Sequence, residues 1–333
     1  MSLSVIIVNY RTSQDICACL ASAKDYGFDR QFEWIIVDNN SEDNSKELIT
    51  ARFPFVKWIQ MNYNAGYARG NNEGIRRARG DVILLLNPDI LFDDDSLQQC
   101  YQSFIASEFI ACNLQLLNAD GSPQISGGYF IKGGLNNLLP LPATGFLFKS
   151  LGILFRVKKT SLKNTQDVKE VDWINGAFVM VKKQAIEKAG LLDEDFFLYA
   201  EEIEWCSRLR KAGKIAVFGN VHAIHLEGQS ANQTFGSSGK GYYNLYDKKG
   251  RQIMLSNFVR IRKQFGTGWF LFHLACYLFE IPFFFLCVLI TTILFLKTGY
   301  SFRKLGGYIS NLFYLIGKSA IIIRNRPHFY KAI

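Results

Sequence analysis

The chain has 333 residues and carries 38 Lys and Arg against 29 Asp and Glu, a formal net charge of +9. With 49% hydrophobic and 20% charged residues it is neither disordered nor fibrous, and its length suits one large α/β domain with an appendage, or two ordinary domains. The seven cysteines, at positions 17, 19, 100, 112, 206, 276 and 287, form no C-x-x-C pair, so a disulfide framework and a zinc site are both unexpected and a reducing, cytosolic setting is read.

The opening MSLSVIIVNY lacks a basic n-region and reads as a strand over 3–10, not as a signal peptide. A helix pattern follows over about 13–25, then a second strand at 33–41 ending in an acidic, amide-rich turn. Ser41 and the acidic residues after it read as the start of a helix. VKWIQM (56–61) is a third strand, 65–79 a helix and DVILLLNPD (81–89) a fourth strand, and Asp93, Asp94 and Asp95 are expected to open the next helix. This alternation predicts an α/β fold, Rossmann-like, with a mostly parallel sheet and helices on both faces. No internal repeat is visible. The stretch 127–163 is rich in Gly, Leu and basic residues without a clear period, and reads as a loop, a membrane-touching segment or an acceptor lid.

Charge and apolarity coincide at the C-terminal end. Residues 240–333 hold 14 of the basic and 2 of the acidic residues, leaving 24 against 27 in the rest of the chain. Within this basic region lies WFLFHLACYLFEIPFFFLCVLITTILFL (269–296), whose ionisable groups are His273 and Glu280. As a helix it would reach about 42 Å, more than the roughly 30 Å hydrocarbon core. Basic flanks on an apolar, Phe-rich run fit an anionic cytoplasmic leaflet better than nucleic acid, so a membrane partner is expected and nucleic acid is not. Glu280 and Pro282 favour a broken, re-entrant or interfacial arrangement over one straight span.

In a doubly wound sheet, ligands bind at the carboxyl ends of the strands. Here those ends read Asn9-Tyr10-Arg11-Thr12, Asp38-Asn39-Asn40-Ser41 and Asn87-Pro88-Asp89. Each alone is an ordinary Asx turn; three together look like a small-molecule site. Neither a Gly-x-Gly-x-x-Gly after the first strand nor a Walker-type loop is present, which argues against a dinucleotide cofactor or a P-loop nucleotide.

Taken in order, SVIIVNYRT, VDNNS, NAGYARGNNEGI and LLLNPD resemble the nucleotide-sugar half of family 2 glycosyltransferases of the GT-A fold. WINGAFVMVKKQAIEKAGLLDEDFFLYAEEIEWCSRLRKAG (173–213) and HLEGQS (225–230) resemble the acceptor half. The pattern is similar to the bacterial rhamnosyltransferase-like branch. The resemblance implies a nucleoside-diphosphate sugar donor, dTDP-rhamnose or a UDP-hexose, and an inverting transfer to a lipid-linked saccharide at the cytoplasmic face of the membrane. It also implies a role for each block. Asp38 would accept a hydrogen bond from a pyrimidine N3–H, with Asn9, Thr12 and Asn40 beside the base. Asn64, Gly66, Arg69, Gly70 and Asn71 would lie along the nucleotide, the glycines allowing close approach and Arg69 offsetting pyrophosphate charge. Asn87 and Asp89 stand where the family has its D-x-D metal motif, so Asp89 would ligate Mg²⁺ or Mn²⁺, with His225 completing the site and His222 as its rival. Trp173, Asn175 and Gly176 would line the donor sugar. Glu202 stands where the family has an Asp base, one methylene longer than usual, with Glu201 as the second candidate and Glu204–Arg208 as a stabilising pair.

The expected organisation is a nucleotide-sugar half over 1–125, an acceptor half over 126–240 and a membrane-associated helical region over 241–333. Two other classes compete: a sugar-phosphate nucleotidyltransferase, whose N-terminal glycine-rich loop is missing here, and a non-catalytic membrane-bound subunit of an assembly complex.

Overall fold

The computed structural model describes residues 1–157, 160–226, 237, 244–296 and 298–332. They divide into two units. The first holds Met1–Tyr129, Ser161–Phe197 and the described part of 201–230; the second holds Phe130–Thr160, Leu198–Ala200 and the described residues from 237 onward. The expected boundary at 126 therefore differs from the observed one: 130–160 groups with the C-terminal helices, and the chain then returns to the first unit. The expected boundary at 240 lies outside the described residues.

In chain order the elements begin β1 (Leu3–Asn9), α1 (Ser13–Asp25), α2 (Phe28–Gln31), β2 (Glu33–Asp38), α3 (Ser45–Arg52), β3 (Val56–Gln60), α4 (Gly66–Arg77) and β4 (Val82–Leu86). Next come β5 (Ile90–Leu91), α5 (Ser96–Ile105), β6 (Ala111–Leu117), β7 (Gly127–Gly128), a 3₁₀ segment (Lys132–Leu138) and α6 (Gly145–Leu154). β8 (Ser161–Leu162), β9 (Val168–Val171), β10 (Trp173–Ile174), β11 (Phe178–Lys182), α7 (Lys183–Ala189), α8 (Glu201–Leu209) and β12 (Ile215–His225) complete the first unit, and α9 (Lys248–Phe265), α10 (Thr267–Ile293) and α11 (Phe302–Arg324) the second.

The first unit is built on one sheet in the order β3-β2-β1-β4-β11-β6-β12-β5, with β9 also paired to β12. Strands β1 to β4 are mutually parallel. β11 enters antiparallel between β4 and β6, while β12 runs parallel to β6, so the sheet is mostly parallel with a reversed strand at its centre. Strands β1, β2 and β4 are apolar on both faces because both are covered: Val5, Ile6, Ile35, Ile36, Ile83 and Leu84 have no exposed surface. The register sets Asn9 beside Asp38, which brings the polar strand ends together.

Three sequence expectations are corrected locally. Ser41 does not open a helix; α3 starts at Ser45, after Asn44, because Ser41 is bound to Asp38 instead. The apolar run is not broken, since α10 continues through Pro282 over 27 residues. A proline removes one N–H from the helix ladder, and a buried stripe of Phe270, His273, Tyr277, Glu280, Phe284 and Val288 holds the helix on both sides of it. Finally, α11 is a second apolar helix that the sequence reading missed. Its apolar residues are interrupted by Asn311 and Lys318, so no continuous run marks it, although Leu305, Tyr308, Leu312, Leu315 and Ile322 are buried at helical spacing. Both α10 and α11 are long and apolar enough to cross a membrane.

A latch ties α4 to the segment before the acidic pair. Asn72, fully buried, donates from Nδ2 to the Leu192 carbonyl (2.9 Å) and to Glu194 (3.1 Å), and accepts from the Leu192 N–H (3.0 Å). Arg76 closes the latch on Glu194 at 2.6 Å. Burial alone would raise the Glu194 pKa, but hydrogen bonds from Arg76 and Asn72, with the charges of Arg76 and Arg69, outweigh it and hold the carboxyl below its ordinary range. Its contribution to stability is therefore present above the unfolded carboxylate pKa and is lost as pH falls through the lower folded value. Asn72→Ala should cost about 1–3 kcal/mol by orphaning buried backbone groups, seen as a lower unfolding midpoint at neutral pH. A midpoint equal to wild type would show the latch to be dispensable.

Candidate functional site

The polar end of β1 and β2 is organised around Asp38, which is 3% exposed. Its Oδ1 accepts from Asn9 Nδ2 (2.6 Å) and Ser41 Oγ (2.6 Å), and its Oδ2 from the Ser41 N–H (3.0 Å) and Gln60 Nε2 (2.7 Å). A carboxylate offers about four lone-pair positions, so all are engaged. Asn9 in turn accepts the N–H and hydroxyl of Thr12 at 3.1 and 3.0 Å, which fixes the turn into α1. Arg11 (φ 58°) and Asn40 (φ 62°) sit in the left-handed region on either side of this network, and Asn40 donates to Glu42. Asn9, Thr12, Asp38 and Ser41 thus form one buried cluster, with Asn40 on its rim and Gln60 as its exposed member. Sequence reading missed Gln60, whose signal was its place at the end of β3.

The α4 segment packs closely on its neighbours. Gly66 (φ 75°) packs on the Phe197 backbone, where a Cβ would lie 2.2 Å from the carbonyl oxygen, and the Tyr67 N–H donates to that same oxygen. Gly70 and Gly74 face Val8 and Ile6 of β1. These glycines therefore serve close helix–strand and helix–loop packing. Asn64 caps the turn by accepting the Gly66 N–H, and Asn71 bonds back to the Tyr67 carbonyl within the helix. The Arg69 guanidinium is held by the Glu194 carbonyl (2.9 Å) and the Tyr63 hydroxyl (3.1 Å).

At the end of β4, the Asn87 N–H donates to the Ala177 carbonyl, joining this strand end to the Trp173–Ala177 segment. Asp89 and His225, each 8% exposed, face one another with Oδ1 3.4 Å from Nε2. Behind the imidazole, Gln124 donates from Nε2 to the His225 carbonyl and to Asn118 Oδ1, both at 2.7 Å. Its Oε1 is thereby left to accept from His225 Nδ1 at 2.8 Å. This arrangement puts a proton on Nδ1 and leaves Nε2 facing the Asp89 carboxylate. Either a proton on Nε2 or a hard divalent ion, for which the O,N donor set is suited, satisfies this contact. Sequence reading missed Gln124 because its partner is 101 residues away.

His222 forms a separate group, 3.2 Å from Asp93 and 3.9 Å from Asp94. These three could also hold an ion by distance. They are more exposed, and Asp94 already caps the Ser96 N–H at the start of α5, as the sequence suggested. The Glu227–Ser230 part of the HLEGQS motif lies outside the described residues.

The acidic pair occupies the first turn of α8, where the helix dipole favours carboxylates. Tyr199 (φ 73°) and Ala200 (φ 68°) precede it, two consecutive non-glycine residues in the left-handed region, each costing on the order of 1–3 kcal/mol. Glu201 is 2% exposed, whereas Glu202 is half-buried and its side chain lies along Gly176, where a Cβ would meet Glu202 Cγ at 3.3 Å. The Gly176 carbonyl accepts the Tyr67 hydroxyl at 2.8 Å. Burial, followed by the charges of Glu201 and Glu202, pushes the Tyr67 pKa well up, so the phenol stays protonated as a donor. Tyr67 is a further residue the sequence did not single out. Trp173 is half-buried on β10 opposite Gly128, and Asn175 bonds the Ile125 carbonyl and the Ala177 N–H. Glu204 and Arg208 form the expected pair, with the guanidinium also on the Ala189 carbonyl.

Comparison with known proteins bears on this arrangement. Residues 4–137 match the family model described as "Glycosyl transferase family 2". A low-salt glycan biosynthesis hexosyltransferase of Haloferax volcanii is 29% identical over 263 residues, 77% of this chain and 76% of that protein. An N-acetylglucosaminyl-diphospho-decaprenol L-rhamnosyltransferase of Mycobacterium tuberculosis is 24% identical over 69% of this chain and 78% of that one. In three dimensions, a mannosyltransferase of Pyrobaculum calidifontis, solved with GDP-Man and Mn²⁺, superposes with a TM-score of 0.55 at 14% identity, covering 96% of this chain and 86% of that one, a likeness of fold. The first unit thus has the GT-A-like fold, and residues 4–137 match the family 2 glycosyltransferase model, with relatives that include an L-rhamnosyltransferase.

Proposed function

We propose that this glycosyltransferase moves a sugar, with inversion, from a nucleoside-diphosphate donor to a lipid-linked saccharide in cell-surface glycan synthesis. The observation that carries the reading is the Asp89–His225 pair with its Gln124 support, at the end of β4 and connected through Asn87, Ala177 and Gly176 to Glu202. Asp89 and His225 would hold Mg²⁺ or Mn²⁺, which when bound neutralises the charge of the diphosphate leaving group. Glu202, the more accessible of the acidic pair, takes the proton of the acceptor hydroxyl. The hydroxyl oxygen then bonds to the anomeric carbon from one face as the bond to the diphosphate oxygen breaks on the other. Tyr67 and Gly176 form the wall that sets the position of Glu202.

The donor base is a pyrimidine in this reading. Gln60 is the exposed donor on Asp38, so a base N3–H would take its place on Oδ2 while Asn9 and Ser41 keep the carboxylate fixed. The donor is dTDP-rhamnose or a UDP-hexose, and relatives named as a hexosyltransferase and an L-rhamnosyltransferase support the choice of sugar. The lipid-linked acceptor and residence at the cytoplasmic face are supported by the decaprenol-linked substrate named for one relative and by the basic, apolar C-terminal region.

Three outcomes test this. Asp89→Ala should abolish transfer and weaken nucleotide binding in the presence of Mn²⁺. Full transfer by that variant in EDTA would refute the metal site. Gln124→Ala should weaken Mn²⁺ binding by about 10–100-fold, because the imidazole loses its fixed orientation, a change measurable by titration calorimetry without any substrate. Glu202→Gln should lower the transfer rate by about 10²–10⁴-fold with donor affinity nearly intact, and Glu201→Gln by less. The reverse order of the two effects would assign the base to Glu201.

A further inference from the structure

We infer that the second unit is a one-leaflet membrane module, in which α6 lies in the boundary between headgroups and acyl chains and α10 does not cross the bilayer. This rests on the membrane association proposed above and adds the depth and topology of that association.

The first observation is α6 itself. Phe146, Ile153, Leu154 and the following Phe155 are each at least 66% exposed, with Leu147 and Leu151 close to half exposed. Gly145 is its buried residue. A water-facing helix of this composition is unstable against burial of its apolar surface. The charge around it names the occupant: residues 121–166 carry six Lys and Arg and no Asp or Glu. An apolar helix carrying Lys149 and followed by Arg156, in a segment with no acid, is complementary to an anionic lipid surface.

The second observation fixes α6 relative to α10. Glu280, fully buried, accepts from the Ala143 N–H, the Thr144 N–H and the Thr144 hydroxyl, so a carboxylate of α10 holds the two residues that lead into α6. Tyr277 donates to the Asn137 carbonyl (3.0 Å) and His273 Nε2 lies on the Gly133 carbonyl (2.9 Å). The irregular segment from Gly133 to Thr144 is thereby tied along α10. Glu280 is the middle residue of the 27 in α10, about 20 Å from either end at 1.5 Å per residue. Were α10 to stand across a hydrocarbon core of roughly 30 Å, Glu280 would sit near the midplane. It would take the start of α6, the non-helical backbone before it and Lys149 down with it, where charges and irregular backbone are most costly. Lying in the plane avoids this. The side chains of α10 are sorted for that orientation, with one buried stripe against the unit and Leu271, Phe272, Phe279, Phe283, Leu286 and Ile290 exposed.

The test uses the full chain on sealed vesicles of phosphatidylglycerol and phosphatidylcholine containing a phospholipid with a photoactivatable acyl chain. Flotation is read first, then the cross-linked peptides by mass spectrometry. Label is expected within 146–155 and on the exposed stripe of α10, and should fall several-fold on purely zwitterionic vesicles. In parallel, Thr298→Cys, in the exposed link between α10 and α11, is treated with an impermeant maleimide from outside, with the wild-type chain as the background for Cys276 and Cys287. Thr298→Cys should react from the same side as a tag at Met1. Reaction only after the vesicles are opened would show that α10 crosses and overturn the inference. Flotation with no label in 146–155, or cross-linked dimers through α6 instead, would assign its apolar face to protein. Failure to float would remove the membrane reading as a whole, and loss of sugar transfer with the label pattern intact would remove the enzymatic reading alone.

Discussion

Asp38 is a carboxylate at the end of a strand that both faces of the sheet keep out of water, and such a group is stable only where donors replace its hydration. Asn9 and Ser41 supply three of those hydrogen bonds, and each is thereby prevented from doing something else. Ser41 does not cap a helix, and Asn9 directs its remaining oxygen to the turn that launches α1. The shape of the sheet's polar end follows from satisfying one charge. The inner donors are buried, and Gln60 is the exposed one of the groups that bond the carboxylate.

The other side of the site is shaped by the absence of side chains. Gly66 lets α4 begin against the Phe197 backbone, and Gly70 and Gly74 let it lie close on β1. Asn72 and Arg76 on the same helix secure residues 192–194. One short helix thus couples the polar end of the sheet to the segment that leads into the acidic pair. The left-handed Tyr199 and Ala200 lie immediately before that pair, which is where backbone strain is expected if the carboxylates must be held in a fixed direction. In the second unit, polar side chains inside an apolar helix do comparable work: His273, Tyr277 and Glu280 each hold the irregular segment before α6.

How far the sequence reaches can be judged from particular residues. Local pattern was sufficient for β1 to β4, α1 and α4, since apolar runs bounded by Asn, Asp and Gly specify them without distant help, but not for α2 or the start of α3. Together with the family resemblance, which supplied His225, Glu202 and Gly176, the sequence also brought forward Asp89, and the fold places these four in two contacting pairs. The sequence could not show that the α4 glycines pack on β1 and Phe197, because a glycine needed for close packing and one needed for ligand approach look the same in one dimension. Gln124 and Tyr67 were invisible for a related reason, and Gln60 showed only its place at the end of β3. Each matters only through a partner 101, 109 or 22 residues away.

The sequence by itself determined the alternation of strands and helices up to residue 89, the polar strand ends and the apolar, basic character of the C-terminal region. Those are properties of composition and spacing along the chain. Only the tertiary structure decided that 130–160 leaves the first unit, that the helix runs through Pro282, and that Glu280 holds the two residues leading into α6 and is not a break in α10. A buried carboxylate takes its meaning from the donors around it, and those donors are brought within hydrogen-bond reach by folding.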